Sequence, residues 1–203
     1  MPIQTRFATP VYTARLAPRE PGLNRRLLEE CRQLKRDDRA GRRWSRENYP
    51  GGYTSYGSVS RMQRVSPTFA ALEARLDAHV ARFARSLAFD LRGRRLAMTD
   101  CWVNIMPPRV AHGLHLHPLS SISGTYYVAT PPGCAGLKLE DPRLERMMAA
   151  PPRRARASGK LKPWVVIPAR AGSLVLFESW LRHEVPPNPV GERVSISFNY
   201  SWF

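Results

Sequence analysis

Residues 172–203 read GSLVLFESWLRHEVPPNPVGERVSISFNYSWF. An apolar run of strand length, a turn, a proline-broken loop and a second β-rich run follow one another with no helical period between them. The preceding segments have the same character: LAMTDCWVNIM (96–106), HLHP (115–118), SISGTYYVAT (121–130), GLKLE (136–140) and PWVVIPA (163–169). At least six short strands, set about 8–15 residues apart and punctuated by Pro and Gly, predict a sandwich or a jelly-roll barrel. One stretch interrupts them. DPRLERMMAAPPRRARASGK (141–160) is basic, proline-broken and longer than a hairpin loop, the kind of segment that serves as a lid or binding element.

Before residue 96 the pattern is different. Residues 6–16 read as an entry strand. In 19–38, apolar residues at 23, 27, 28, 31 and 34 follow a helical period. GRRWSRENYPGGYTSYGS (41–58) carries loop signals. The clearest helix spans 66–91, with Ser66 as its cap, Pro67 in its first turn and Phe69, Leu72, Leu76, Val80 and Phe83 as its buried stripe. The expected architecture is mainly β: a jelly roll over 96–203 with two N-terminal helices packed on one sheet, all within one domain of 203 residues.

Composition narrows the function classes. No run approaches the roughly 18 apolar residues of a membrane span. The N-terminus lacks the apolar core of a secretory signal, so a cytoplasmic location is expected. Cys31, Cys101 and Cys134 are isolated, which suggests neither a disulfide framework nor a zinc knuckle. Net charge is +16, and lysine stands only at 35, 138, 160 and 162, so the excess is arginine. That excess fits an anionic small-molecule or peptide substrate, and equally an arginine bias of a GC-rich genome. No aromatic-interleaved basic stripe and no nucleic-acid-binding signature is present, so nucleic acid is not the expected partner.

The chemistry concentrates in HGLHLHP (112–118), which holds three of the five histidines. In an extended segment residues i and i+2 share a face, so His115 and His117 aim at one point. His112, three back across Gly113, points elsewhere on this reading. His79 lies on the long helix and reads as a surface or boundary residue. His183 is then the candidate third ligand, and three neutral imidazoles would leave open positions on a divalent metal. Asp141 and Glu140 are carboxylate alternatives to His117. Ten residues beyond His183 stands Arg193, with Ser195 on the same side of the last strand. A guanidinium fork matches a carboxylate bidentately, and an interior arginine is costly unless it meets an anion.

With these residues in place, the chain resembles the iron(II)- and 2-oxoglutarate-dependent oxygenases. Within them it is similar to small bacterial and phage members that carry an HxHP…SGxYY block and a GxLxxFxSWxxHxV block. The resemblance covers roughly residues 100–203, and GGYTSY (51–56) more loosely. It implies a double-stranded β-helix that binds Fe(II) and the cosubstrate 2-oxoglutarate, and consumes O2. His115 and His183 match the first and last metal ligands. His117 stands where the family usually carries Asp or Glu, a departure that adds one unit of charge and removes an acceptor. Arg193 and Ser195 match the site for the far carboxylate of 2-oxoglutarate, and Tyr127 matches a tyrosine of prolyl-hydroxylase-like members. Asn104 matches more weakly. Glu178 replaces a common proline.

The activity implied is hydroxylation of an unactivated C–H bond in an amino acid, peptide or natural product, with release of succinate and CO2. Desaturation or cyclisation is an alternative outcome. The loop with Trp44, Tyr53 and Tyr56 and the 141–160 insertion are the expected substrate walls. Two other readings remain open. One is a three-His cupin that does not use 2-oxoglutarate, which the pair Arg193 and Ser195 disfavours. The other is a basic binding module without activity.

Overall fold

The computed structural model describes residues 3–16 and 22–202. Strand β1 (Val11–Arg15) leads to helices α1 (Leu23–Asp37) and α2 (Arg39–Asn48), the two-residue strand β2 (Tyr53–Thr54), the short helix α3 (Met62–Val65) and the long helix α4 (Pro67–Ser86). Eight strands follow: β3 (Leu96–Met106), β4 (His112–His115), β5 (Ile122–Ala129), β6 (Leu137–Glu140), β7 (Trp164–Ile167), β8 (Ser173–Glu178), β9 (His183–Val185) and β10 (Arg193–Trp202). They form two antiparallel sheets, ordered β1-β8-β5-β10-β3-β2 and β4-β9-β6-β7. This is the expected jelly roll.

The larger sheet buries both faces, and strand alternation divides its side chains between them. Val194, Ile196, Phe198 and Tyr200 of β10, with Val103 and Ile105 of β3, join Leu27, Phe69, Leu72, Leu76 and Phe83 of the helices in one apolar core. The expected stripe of α4 is thus the face that meets the sheet. The opposite face looks into the space between the sheets, and it is polar. Ser195 pairs with Asn104 on one side and Tyr127 on the other, and Ser197 with Trp102 and Thr125. A second apolar cluster, including Met106, Leu137, Leu139, Val175, Phe177 and Leu181, closes this space.

The N-terminal half departs from expectation in several places. The entry strand is shorter than 6–16. The expected 19–38 helix begins at Leu23, and its first positions lie outside the described residues. Within the expected loop 41–58 the chain forms α2, the one-turn α3 follows at 62–65, and the expected 66–91 helix ends at Ser86, so that four helices precede the jelly roll. Asp38 starts α2 by accepting from the Gly41 N–H at 2.8 Å. Its buried face is made of Gly41 and Ser45. Small residues give no hydrophobic period, which is why the helix was invisible to periodicity. Among the described residues no helix is long and apolar enough to cross a membrane.

Helix α4 supplies a direct stability test. Ser66 Oγ accepts from the N–H groups of Thr68 and Phe69 and also donates to Glu30 of α1. Ser66→Ala is expected to cost about 1 kcal/mol. In a domain of this size that lowers the melting temperature by about 2–4 °C per kcal/mol, measurable by circular dichroism.

Candidate metal centre and carboxylate site

His115 and His183 face each other across the β4–β9 pair. Strand β4 ends at His115, and His117 lies just beyond it, fixed by its backbone N–H donating to Ser179 O at 3.0 Å. The three rings nevertheless converge. Their centroids lie 5.3 Å (His115 to His117), 4.3 Å (His115 to His183) and 5.0 Å (His117 to His183) apart. One ligand atom from each lies within 4.8 Å of the others.

Each ring is oriented through Nδ1. His115 Nδ1 is 2.7 Å from Gly113 O, His183 Nδ1 is 2.9 Å from Leu181 O, and His117 Nδ1 is 2.8 Å from Asn199 Oδ1. The two carbonyls only accept, so Nδ1 carries the proton in His115 and His183 and their Nε2 presents its lone pair, whereas His117 Nδ1 meets side chains, Ser123 Oγ also lying 2.8 Å from it. Burial pushes His183 down to about 3 and His117 to about 4, with the His115 charge adding to the effect. Neutral imidazoles are the form a metal needs. The carboxylate alternatives are engaged elsewhere. Asp141 is gripped by Arg143 at 2.8 and 2.9 Å, and Glu140 pairs with Arg182 at 3.1 Å.

His112 corrects an expectation. It lines the same cavity, stacked on Tyr49 at 4.4 Å with its ring 5.6 Å from His115. A register shift between His112 and His115 turns it inward. It is not among the three converging ligands. His79 is far from the site and holds Tyr12 Oη through Nδ1 at 2.8 Å.

Arg193 closes the other end of the cavity, and its side chain has an unusual setting. It is 2 % exposed, yet among the described residues no carboxylate pairs with it. Its Nη1 donates to Ser195 Oγ at 3.2 Å, its Cζ lies 5.0 Å from the centre of the Tyr127 ring, and its Nε has no partner. The hydroxyls of Tyr127 and Thr125 and Oδ1 of Asn104 are also buried and unpartnered. Burial raises the Tyr127 phenol, and Arg193 pulls it back down. Orphaned buried donors are rare and call for a partner. A carboxylate fits this set: it accepts from Arg193 Nε, the two hydroxyls and Ser195. Asn104 turns its amide the other way and donates to Ser197 Oγ at 3.0 Å.

Several cavity residues escaped the sequence reading, Thr125, Ser197 and Trp102 among them. Thr125 precedes Tyr127 by two, and Ser197 follows Ser195 by two, so strand alternation carried the signal for both. Trp102 is the inner end of an aromatic series. Its ring lies 5.7 Å from His117 and 5.2 Å from Tyr56, and Tyr56 lies 6.2 Å from Trp44. Trp44 and Tyr56 therefore sit at the metal end. Tyr53 does not: it is 1 % exposed and donates to Asp38 at 2.9 Å, a core residue. The 141–160 insertion leaves β6 just past Leu139, which pairs with His183, so its root is at the metal end too.

The geometry has counterparts among known proteins. Residues 100–199 match the family model described as "Putative 2OG-Fe(II) oxygenase". No curated protein matches the sequence. Among solved structures, a prolyl-4-hydroxylase from Pseudomonas putida aligns at TM-score 0.59 and 20 % identity, over 94 % of this chain and 92 % of its own. HygX from Streptomyces hygroscopicus, solved with nickel, 2-oxoglutarate and hygromycin B, aligns at 0.61 and 15 %, over 96 % and 83 %. The epimerase SnoN of nogalamycin biosynthesis, solved with Fe3+, α-ketoglutarate and nogalamycin RO, aligns at 0.64 and 15 %, over 96 % and 79 %. These likenesses agree on the fold, and the family model adds the lineage of the segment that holds the site. Residues 100–199, most of the jelly-roll part of this chain, thus carry the match to the 2OG-Fe(II) oxygenase family.

Proposed function

We propose that this protein is an Fe(II)- and 2-oxoglutarate-dependent oxygenase that hydroxylates a C–H bond of an amino acid, peptide or natural-product substrate. The observation that carries this reading is the buried, acid-free Arg193 at one end of a cavity with three converging imidazoles at the other. A three-imidazole cupin has no need of that arginine, and its burial without an anion would be a cost with no return.

In this reading His115, His117 and His183 hold the metal through Nε2. Arg193, Ser195, Tyr127 and Thr125 take the far carboxylate of 2-oxoglutarate, fixing the direction in which the cosubstrate lies. When bound, iron and 2-oxoglutarate supply an oxidant able to attack an unactivated C–H bond, with succinate and CO2 as by-products. The chain's own share is positioning and the exclusion of water. Phe177 packs on His183 at 4.6 Å and Leu137 lines the cavity, which keeps the metal side dry. Trp102, Tyr56 and the root of the 141–160 insertion border the metal end, where a substrate would enter. HygX binds hygromycin B, and a Trichoplax adhaerens prolyl hydroxylase of the same fold binds a peptide, so the fold admits both substrate classes.

Purified protein supplied with Fe(II), ascorbate, O2 and 2-oxoglutarate is expected to release succinate above a metal-free control, even without its substrate. Succinate at the control level, together with no 2-oxoglutarate binding to the nickel-loaded protein, would overturn the proposal.

A further inference from the structure

Of the three imidazoles, two are oriented by the main chain and one is not. The carbonyls of Gly113 and Leu181 can only accept, so the tautomers of His115 and His183 are fixed by the backbone. His117 Nδ1 instead meets two side chains, Ser123 Oγ and Asn199 Oδ1, each at 2.8 Å. A hydroxyl can donate or accept, and a carboxamide can turn over and present its NH2. With Asn199 turned over, its NH2 would donate to Nδ1 and the ring proton would sit on Nε2. His117 would then have no lone pair to offer a metal.

What prevents this is one step further out. Asn199 Nδ2 donates to Asp100 Oδ2 at 3.4 Å. A carboxylate only accepts, so the nitrogen of the amide must face Asp100 and the oxygen must face His117. Asp100 is itself held: Thr99 Oγ1 lies 2.8 Å from the same carboxylate oxygen and 3.3 Å from the Asn199 carbonyl. Ser123 completes the arrangement. It donates to Asn199 Oδ1 at 2.8 Å and lies 2.7 Å from Ser179 Oγ, with both serines fully buried. Asn199 Oδ1 thus collects donors and Asn199 Nδ2 meets an acceptor, which is consistent in one orientation of the amide only.

We propose that Asp100, acting through Asn199, is a positioning residue that locks His117 in its Nδ1–H tautomer and so makes the third imidazole available as a ligand. This rests on the reading of His117 as a metal ligand. It also accounts for the departure at that position. An aspartate ligand has two equivalent oxygens and needs no tautomer lock, whereas a histidine ligand does. The chain that carries His117 also places a fixed carboxylate two hydrogen bonds behind it.

The test is made on the full chain, metal-free and 15N-labelled, at neutral pH. Long-range 1H–15N correlation reads the His117 tautomer, and calorimetric titration with Ni(II) reads affinity. Wild type is expected to show Nδ1–H. In Asp100→Asn the lock is lost: an Nε2–H population appears, and nickel affinity falls by about 10–100-fold, the usual cost of losing an outer partner of a ligating histidine. The exchanged pair Asp100→Asn/Asn199→Asp keeps one carboxylate and one carboxamide in the same space. Its carboxylate now faces His117 directly and cannot present a donor, so Nδ1–H returns and affinity recovers to within a few-fold of wild type. Should the single variant fail to fold, the exchanged pair decides alone. Nε2–H in the wild-type protein overturns the proposal, as does an exchanged pair that binds nickel no better than Asp100→Asn or shows Nε2–H. The tautomer is read without metal. A wild-type protein that shows Nδ1–H but binds no nickel therefore counts against the metal-centre reading and not against the lock.

Discussion

Arg193→Met is expected to weaken 2-oxoglutarate binding severely while making the ligand-free protein more stable. The two effects have one cause. Arg193 is 2 % exposed and has no acidic partner among the described residues, so the fold carries a desolvated guanidinium whose Nε bonds to nothing. Methionine fills a similar volume without the charge. Replacing poorly compensated buried charge by apolar groups is neutral or stabilising by about 1–4 kcal/mol. At about 2–4 °C per kcal/mol for a domain of this size, the ligand-free melting temperature rises by several degrees. For the cosubstrate the balance reverses. Its carboxylate would enter the same desolvated space and find no cation. Removing one partner of a buried, hydrogen-bonded charge pair costs about 2–5 kcal/mol, or roughly 30-fold to several-thousand-fold in affinity. Thermal denaturation of the nickel-loaded protein with and without 2-oxoglutarate checks both signs. A ligand-induced shift of equal size in wild type and Arg193→Met would rule out this arginine as the carboxylate anchor. A large loss of stability in the ligand-free variant would show that the guanidinium is a structural group already satisfied within the fold.

How much of this was legible depends on which physical signal each residue leaves in the sequence. The jelly roll was readable because its strands are short, apolar and bounded by Pro and Gly. Arg193 and Ser195 were readable because β10 is long and regular, so that an offset of two meant a shared face. The same alternation extends through Ser197 to Asn199, and a polar run at every second position of an otherwise apolar strand already points to an inner polar stripe. Around the histidines strand alternation is only part of the cause. His115 and His117 do converge, but His117 is held from outside the strand by the Ser179 carbonyl. The register shift that turns His112 inward leaves no mark in HGLHLHP. Helix α2 stayed hidden because it packs by small residues and by reciprocal hydrogen bonds between Ser45 Oγ and the backbone of Thr54. Asp100 had no signal of its own: its place behind Asn199 follows from the pairing of β3 with β10, which only the folded chain brings about.

His183→Ala is expected to have the largest effect of any single substitution, removing metal binding and with it all turnover. His183 is the member of the cluster that joins the others. Its ring is the nearer neighbour of both His115, at 4.3 Å, and His117, at 5.0 Å, whereas those two stand 5.3 Å apart. It is also the most enclosed, 4 % exposed against Phe177 and pinned through Nδ1 to its own turn. Without it, the two remaining imidazoles offer a divalent ion half of a tetrahedral set, with no carboxylate at hand, because Asp141 and Glu140 are committed to arginines. The loss should exceed the about 10–100-fold that follows when only an outer partner is removed. His112→Ala is the matched comparison. It deletes a cavity-lining imidazole of the same chemistry that lies outside the converging three, so nickel affinity should stay within a few-fold of wild type. Calorimetric titration of the two variants with Ni(II), each first shown to be folded by circular dichroism, separates ligand from neighbour. If His112→Ala lost the metal and His183→Ala kept it, the centre would have to be rebuilt around His112, His115 and His117, on the Tyr49 side of the cavity.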